Sequence, residues 1–87
     1  MQYRIPDDVL HRVVQSDTVI LNAATNAYVS LNGSAGRIWE LFGAGHTADE
    51  VQSIMADEFD VSPDVVAADV AATLQSLLQR GLLEPSV

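Results

Sequence analysis

Between Val9 and Leu31 the apolar residues come in short β-rich runs. After Asn32 they recur at three- and four-residue spacing, so the pattern predicts strands first and helices second. Residues 9–15 (VLHRVVQ) and 18–22 (TVILN) form two runs separated by Ser16-Asp17. A third, Ala27–Leu31 (AYVSL), follows an AATN connection whose Asn26 tolerates a left-handed turn conformation. Alternation puts Val19 and Leu21 on one face of their strand. It puts Val29 and Leu31 on one face of theirs, with Tyr28 and Ser30 opposite. Three short strands with tight connections make an antiparallel meander.

Asn32 or Ser34 can cap a first helix whose Ile38, Leu41 and Phe42 share a side, with Trp39 beside them; Gly43 and Gly45 stop it. Thr47-Ala-Asp-Glu50 fits a capping box, and Val51, Ile54, Met55 and Phe59 supply the apolar stripe of a second helix. Ser62 as N-cap and Pro63 at the first helical position restart the chain. This third helix runs to about Arg80, with Val66, Val70, Leu74, Leu77 and Leu78 on its apolar side. Gly81 suits the position after the cap, and Leu82-Leu83 returns to the sheet or core. The expected fold is α+β: a three-stranded antiparallel sheet followed by three helices, winged helix-turn-helix-like, with residues 1–87 as a single domain.

Composition adds a core and removes several chemistries. With 87 residues, 48% of them apolar, one hydrophobic core is within reach. No cysteine means no disulfide, thiolate metal site or cysteine nucleophile. The apolar runs are too short to span a bilayer and no signal peptide is read, which makes a cytoplasmic protein the expectation. The formal charge of -8, with no lysine and only Arg4, Arg12, Arg37 and Arg80 as cations, opposes nucleic-acid binding. A basic peptide is the more natural partner.

No catalytic constellation emerges, and the chain reads as a binding protein rather than an enzyme. His11 and His46 have no helical His or Cys companion for zinc, and Asp57-Glu58-Phe59-Asp60 lacks the spacing and glycine of a calcium loop. Ser34 and Ser62 are caps, and Gly33, Gly36, Gly43 and Gly45 make no phosphate loop. Neither metal nor cofactor is expected. Asp49, Glu50, Asp57, Glu58, Asp60 and Asp64 read as a solvated face that can also steer a basic partner. Trp39 and Leu74 read as core, whereas Tyr28 either caps the core or stands on a groove.

Residues 31–35 (Leu-Asn-Gly-Ser-Ala), 38–41 (Ile-Trp-Glu-Leu), 47–51 and 59–63, then Asp69-Val70 and the Leu77, Leu78, Gly81, Leu82, Leu83 ending, together resemble the PqqD-like family over residues 5–84. That resemblance implies a three-stranded sheet packed on three helices that binds the leader of a ribosomally made, modified precursor peptide. The leader adds as a strand to the edge of the third strand and lies in a cleft against the third helix. On this chain the implied edge is the backbone of Ala27, Tyr28, Val29, Ser30 and Leu31. Four or five backbone bonds of about 0.5–1.5 kcal/mol each do not offset leader ordering and association entropy, so apolar anchors are needed as well. The groove beside the third helix would supply them through Val66, Val70, Thr73 and Leu77, with Asp69 at its edge facing a leader lysine or arginine.

A stand-alone member of this size resembles the recognition protein of split lasso-peptide systems, whose partners are the precursor leader, a leader protease and then a cyclase. It equally resembles the chaperone of the quinone-cofactor pathway, which works with a radical enzyme. Two further readings stand beside these: a winged-helix DNA-binding regulator, and a structural subunit of an acidic enzyme complex.

Overall fold

The computed structural model describes residues 1–86 as strands β1 (Gln2–Arg4), β2 (Val9–Val14), β3 (Asp17–Asn22) and β4 (Ala27–Leu31), helices α1 (Gly33–Gly43), α2 (Ala48–Phe59) and α3 (Pro63–Gln79), and strand β5 (Glu84–Ser86). Sheet order β2-β3-β4 is the antiparallel meander read from the sequence, and with the three helices it makes the winged helix-turn-helix-like α+β fold. Gln15 is not strand: at φ 58° it turns the chain with Ser16, and β3 begins one residue earlier than expected, at Asp17. Asn26 does adopt the left-handed conformation, φ 58°.

Register decides which side chains reach the core. Ile20 lies opposite Val29 and His11, and Thr18 opposite Leu31 and Val13, so this face turns toward the helices. Leu21 opposite Tyr28 and Leu10, and Val19 opposite Ser30 and Arg12, occupy the outer face. Helix α1 lies on the inner face against β3 and β4, and α3 packs on α1 and α2, around a core of Ile20, Trp39, Phe42, Val51, Val70, Leu77 and Leu82, all almost fully buried. Trp39 is core, as expected: its indole N–H donates to the Leu82 carbonyl at 3.0 Å while its ring meets His11 edge to face. Leu74 is only half-buried, packed on the margin of that core.

Local chemistry sets the helix limits. Asn32 Oδ1 accepts from the Ala35 amide at 2.9 Å, and Thr47 with Glu50 completes the capping box. Pro63 opens α3 as expected, but the Ser62 hydroxyl makes no capping bond. Gly81, at φ 72°, closes α3: its amide donates to Leu78 and the Leu82 amide to Leu77, the paired bonds of a Schellman ending. That turn sends Leu82 and Leu83 inward and then into β5. Here the structure adds an element the sequence did not suggest. β5 pairs antiparallel with β1 in a separate two-stranded sheet, Tyr3 opposite Pro85, and Arg4 Nε donates to Glu84 at 2.7 Å. Tyr3 packs edge to face on Phe42, so both ends of the described chain are pinned to α1.

Candidate peptide-binding site

Two edges of the three-stranded sheet are unpaired, those of β2 and β4. The β4 edge leads into the groove that borders the helices. Directly after Leu31, Asn32, Ser34 and Ala35 begin the wall of a groove of about 420 Å³, which also takes in Ile38 of α1, Met55, Phe59 and Val61 at the end of α2, and Val66, Asp69, Val70, Ala72 and Thr73 of α3. Its floor is apolar and its rim polar, the usual division in a site where apolar burial supplies affinity and a few polar groups set orientation.

Three- and four-residue spacing brings Val66, Asp69, Val70 and Thr73 onto one side of α3, where they form the groove wall. Val66 and Val70 are buried floor, Thr73 is half-buried and Asp69 is exposed. Leu77, read with them from the sequence, is 1% exposed and lies outside the groove, inside the core. Of the β4 residues, Val29 and Leu31 turn their side chains to the core, so only their backbone is offered at the edge. Tyr28 takes neither place considered for it: 72% exposed on the outer face, it lines a shallow hollow with Leu10, Arg12, Val14, Val19 and Leu21. Ala27 and Ser30 are exposed along the strand.

The α1 and α2 walls were not read from the sequence. Ile38, Met55 and Phe59 sit in ordinary amphipathic stripes, and a stripe does not say where core ends and groove begins. Val61 carried a usable signal, an apolar residue in the three-residue link between helices, Asp60, Val61 and Ser62, and it is 40% exposed.

An ion-pair clasp holds these two walls together. Arg37 grips Glu58 through two parallel bonds, Nε to Oε1 at 2.9 Å and Nη2 to Oε2 at 2.6 Å, and reaches Glu40 with Nη1. Hydrogen bonding from Arg37 holds the Glu58 carboxyl below its ordinary range, and the two carboxylates raise the Arg37 pKa. Glu50 is lowered as well, chiefly by the backbone bond from Thr47 that closes the capping box. Two members of the acidic run thus have structural duties, whereas Asp49, Asp57, Asp60 and Asp64 are exposed. Among the described residues no group of three or more His, Asp or Glu side chains is placed to hold a metal. Among the described residues no helix is long and apolar enough to cross a membrane.

Solved structures share this fold over nearly the whole chain. TbiB1 in complex with the TbiA(beta) leader peptide is 27% identical, with a TM-score of 0.86 over 97% of this chain and 98% of that one. A lasso peptide synthetase B1 complexed with the leader peptide gives a TM-score of 0.87 at 24% identity, over 98% of this chain and 100% of that one. The PqqD truncation of Methylobacterium extorquens PqqCD, a stand-alone recognition element for ribosomally synthesized and post-translationally modified peptides, gives 0.77 at 24% identity, over 95% and 88% of the two chains. At 24% identity the last two speak to the fold alone. No curated protein sequence matches the chain. The model of coenzyme PQQ synthesis protein D (PqqD) matches residues 17–83, taking in β3, β4, all three helices and the Gly81 turn, and the chain belongs to that family.

Proposed function

We propose that this protein binds the leader segment of a ribosomally made precursor peptide and delivers it to a separate processing enzyme, in lasso-peptide maturation. The observation that carries this reading is the continuity of an unpaired strand edge, β4, with the apolar groove between α1 and α3. A strand docking on Ala27, Tyr28, Val29, Ser30 and Leu31 would pair its backbone there and drop side chains beside Val66, Val70 and Thr73. The leader-bound state of TbiB1, its 27% identity and its match across almost the full length support the same assignment. The role is recognition rather than catalysis: the groove's polar groups are an amide, two hydroxyls and one carboxylate, with no base set beside a nucleophile.

Delivery requires a second surface. The outer face of the sheet is uncovered and unusually apolar for a solvent-facing sheet, with Leu10, Val14 and Tyr28 exposed. It is continuous with β4, so a leader strand added at that edge would extend it. The processing enzyme is the occupant we assign to it. A second copy is the poorer fit, because two chains each of charge -8 repel.

The resemblance to lasso-type systems implies leaders with a Tyr and a Pro a turn apart, so isothermal titration with a synthetic leader carrying Tyr-x-x-Pro tests the binding role. Affinity of about 1 μM or tighter, abolished by Ala at the Tyr and Pro, is expected. Binding of a quinone-cofactor precursor in place of the lasso-type leader would move the protein to the pathway after which its family is named.

A further inference from the structure

The groove is apolar except at its rim, and that rim carries a single charge, Asp69. An exposed aspartate on a helix is usually accounted for by the helix itself, but this one is not. It lies two turns inside α3, beyond the first turn where the helix N-terminus favours a carboxylate. Its neighbours three and four residues away are Val65, Val66, Ala72 and Thr73, none of them basic. No cation elsewhere reaches it among the described residues. Arg4 is held by Glu84 and Arg37 by Glu58 and Glu40, while Arg12 sits on the outer face of the sheet. Arg80 lies eleven residues further along, about 16 Å up the helix axis.

Phe59 and Val61 line the same groove and stand 44% and 40% exposed, with Asp60 between them in the chain. An exposed aromatic lip and an unpaired carboxylate on one groove of about 420 Å³, with a negative field over the whole molecule, are complementary to one kind of peptide side-chain pair.

We propose that the groove selects leaders in which a bulky apolar residue and a lysine or arginine lie close together, the apolar side chain against Phe59 and Val61 and the cation facing Asp69. This rests on the leader-binding reading and adds to it the class of leader the site accepts. A carboxylate at the facing position would be rejected by like charge, which gives the site a means of refusing as well as accepting.

The test is a lysine scan. A neutral synthetic leader carrying Tyr-x-x-Pro is the parent, and each variant places one lysine at a different position. Titration against the wild-type protein should show one position where affinity rises roughly three- to tenfold, a gain that shrinks at high salt. In Asp69→Asn, an exposed and conservative change, that peak should vanish, each lysine variant then binding no better than the neutral parent does to the same protein. In Asp69→Lys, a glutamate at the peak position should bind better than a lysine. A flat scan, or a peak that survives Asp69→Asn, overturns the charge assignment and leaves leader binding standing. If the neutral parent and every variant fail to bind, both the leader-binding reading and this inference fall.

Discussion

Gly36 is where helix and sheet come closest. A Cβ placed there would stand 2.6 Å from Thr18 Oγ1, and the glycine is buried at the end of the first turn of α1. Elsewhere in a helix a Gly→Ala change gains about 0.5–1 kcal/mol of helix propensity. Here overpacking opposes the gain. Gly36→Ala is expected to destabilise by about 1–3 kcal/mol, read as a lowered midpoint in urea unfolding with an unchanged slope. Thr18→Ala removes the obstructing hydroxyl, so the double variant should recover a good part of the loss. If Gly36→Ala proves neutral alone, the close approach of α1 to β3 is not as tight as the distance implies. Trp39 makes a similar point about what one residue can fasten. Its indole bond to the Leu82 carbonyl ties α1 to the chain leaving α3, 43 positions further along the sequence.

Among the elements, α1 and α2 are clasped by Arg37 and Glu58, and pH reports on that clasp. Glu58 has a lowered pKa in the folded protein, so it contributes stability above its ordinary value of 4.5 and loses it as pH falls through the folded value. Glu58→Gln should therefore melt earlier than wild type at neutral pH, and the gap should close on acidification below about 4.5. A gap that stays constant down to the acid limit would mean that the ion pair is not its source. The free edge of β4 is tested by proline. Adjacent residues of a strand send their N–H groups to opposite edges, so of Val29→Pro and Ser30→Pro one breaks the ladder to β3 and the other only the open edge. One variant should lose thermal stability; the other should stay folded and lose leader affinity. Retention of affinity in the folded variant would sink strand addition at β4. The elements that sequence made legible are the locally determined ones: the meander, the capping box at Thr47, the proline at the head of α3 and the glycine turn at its end. The β1–β5 pair was illegible because each strand is three residues long and its partner lies some 80 positions away. The groove was half legible. The resemblance to the PqqD-like family put Val66, Asp69, Val70 and Thr73 in a groove together with Leu77, and periodicity could not set Leu77 apart, because it continues the same stripe into the core.

At the scale of the molecule, the proposed function would give the two sides of the sheet separate tasks. Its β4 edge and the groove are on the way to the helices, while Leu10, Arg12, Val14, Val19 and Leu21 face the other way. A leader bound at the edge and an enzyme bound on the outer face would therefore touch the same strand without competing for the same side chains. Such an arrangement separates binding from delivery, and mutation can separate them too. Leu10→Ser and Val14→Ser lie on β2, the strand farthest from β4, and both side chains are already exposed, so the fold and the leader site should be spared. Titration should give leader affinities within about twofold of wild type, since neither residue lies in the groove. In a reconstituted reaction with precursor and a purified leader protease, removal of the leader should slow by roughly tenfold if these residues are anchors of the enzyme interface. Arg12→Glu should slow it further where the enzyme presents a carboxylate, and a compensating basic substitution in the enzyme should restore the rate. Unchanged processing by all three variants, with leader binding intact, would move the docking surface away from the sheet and leave the exposed apolar face without a partner.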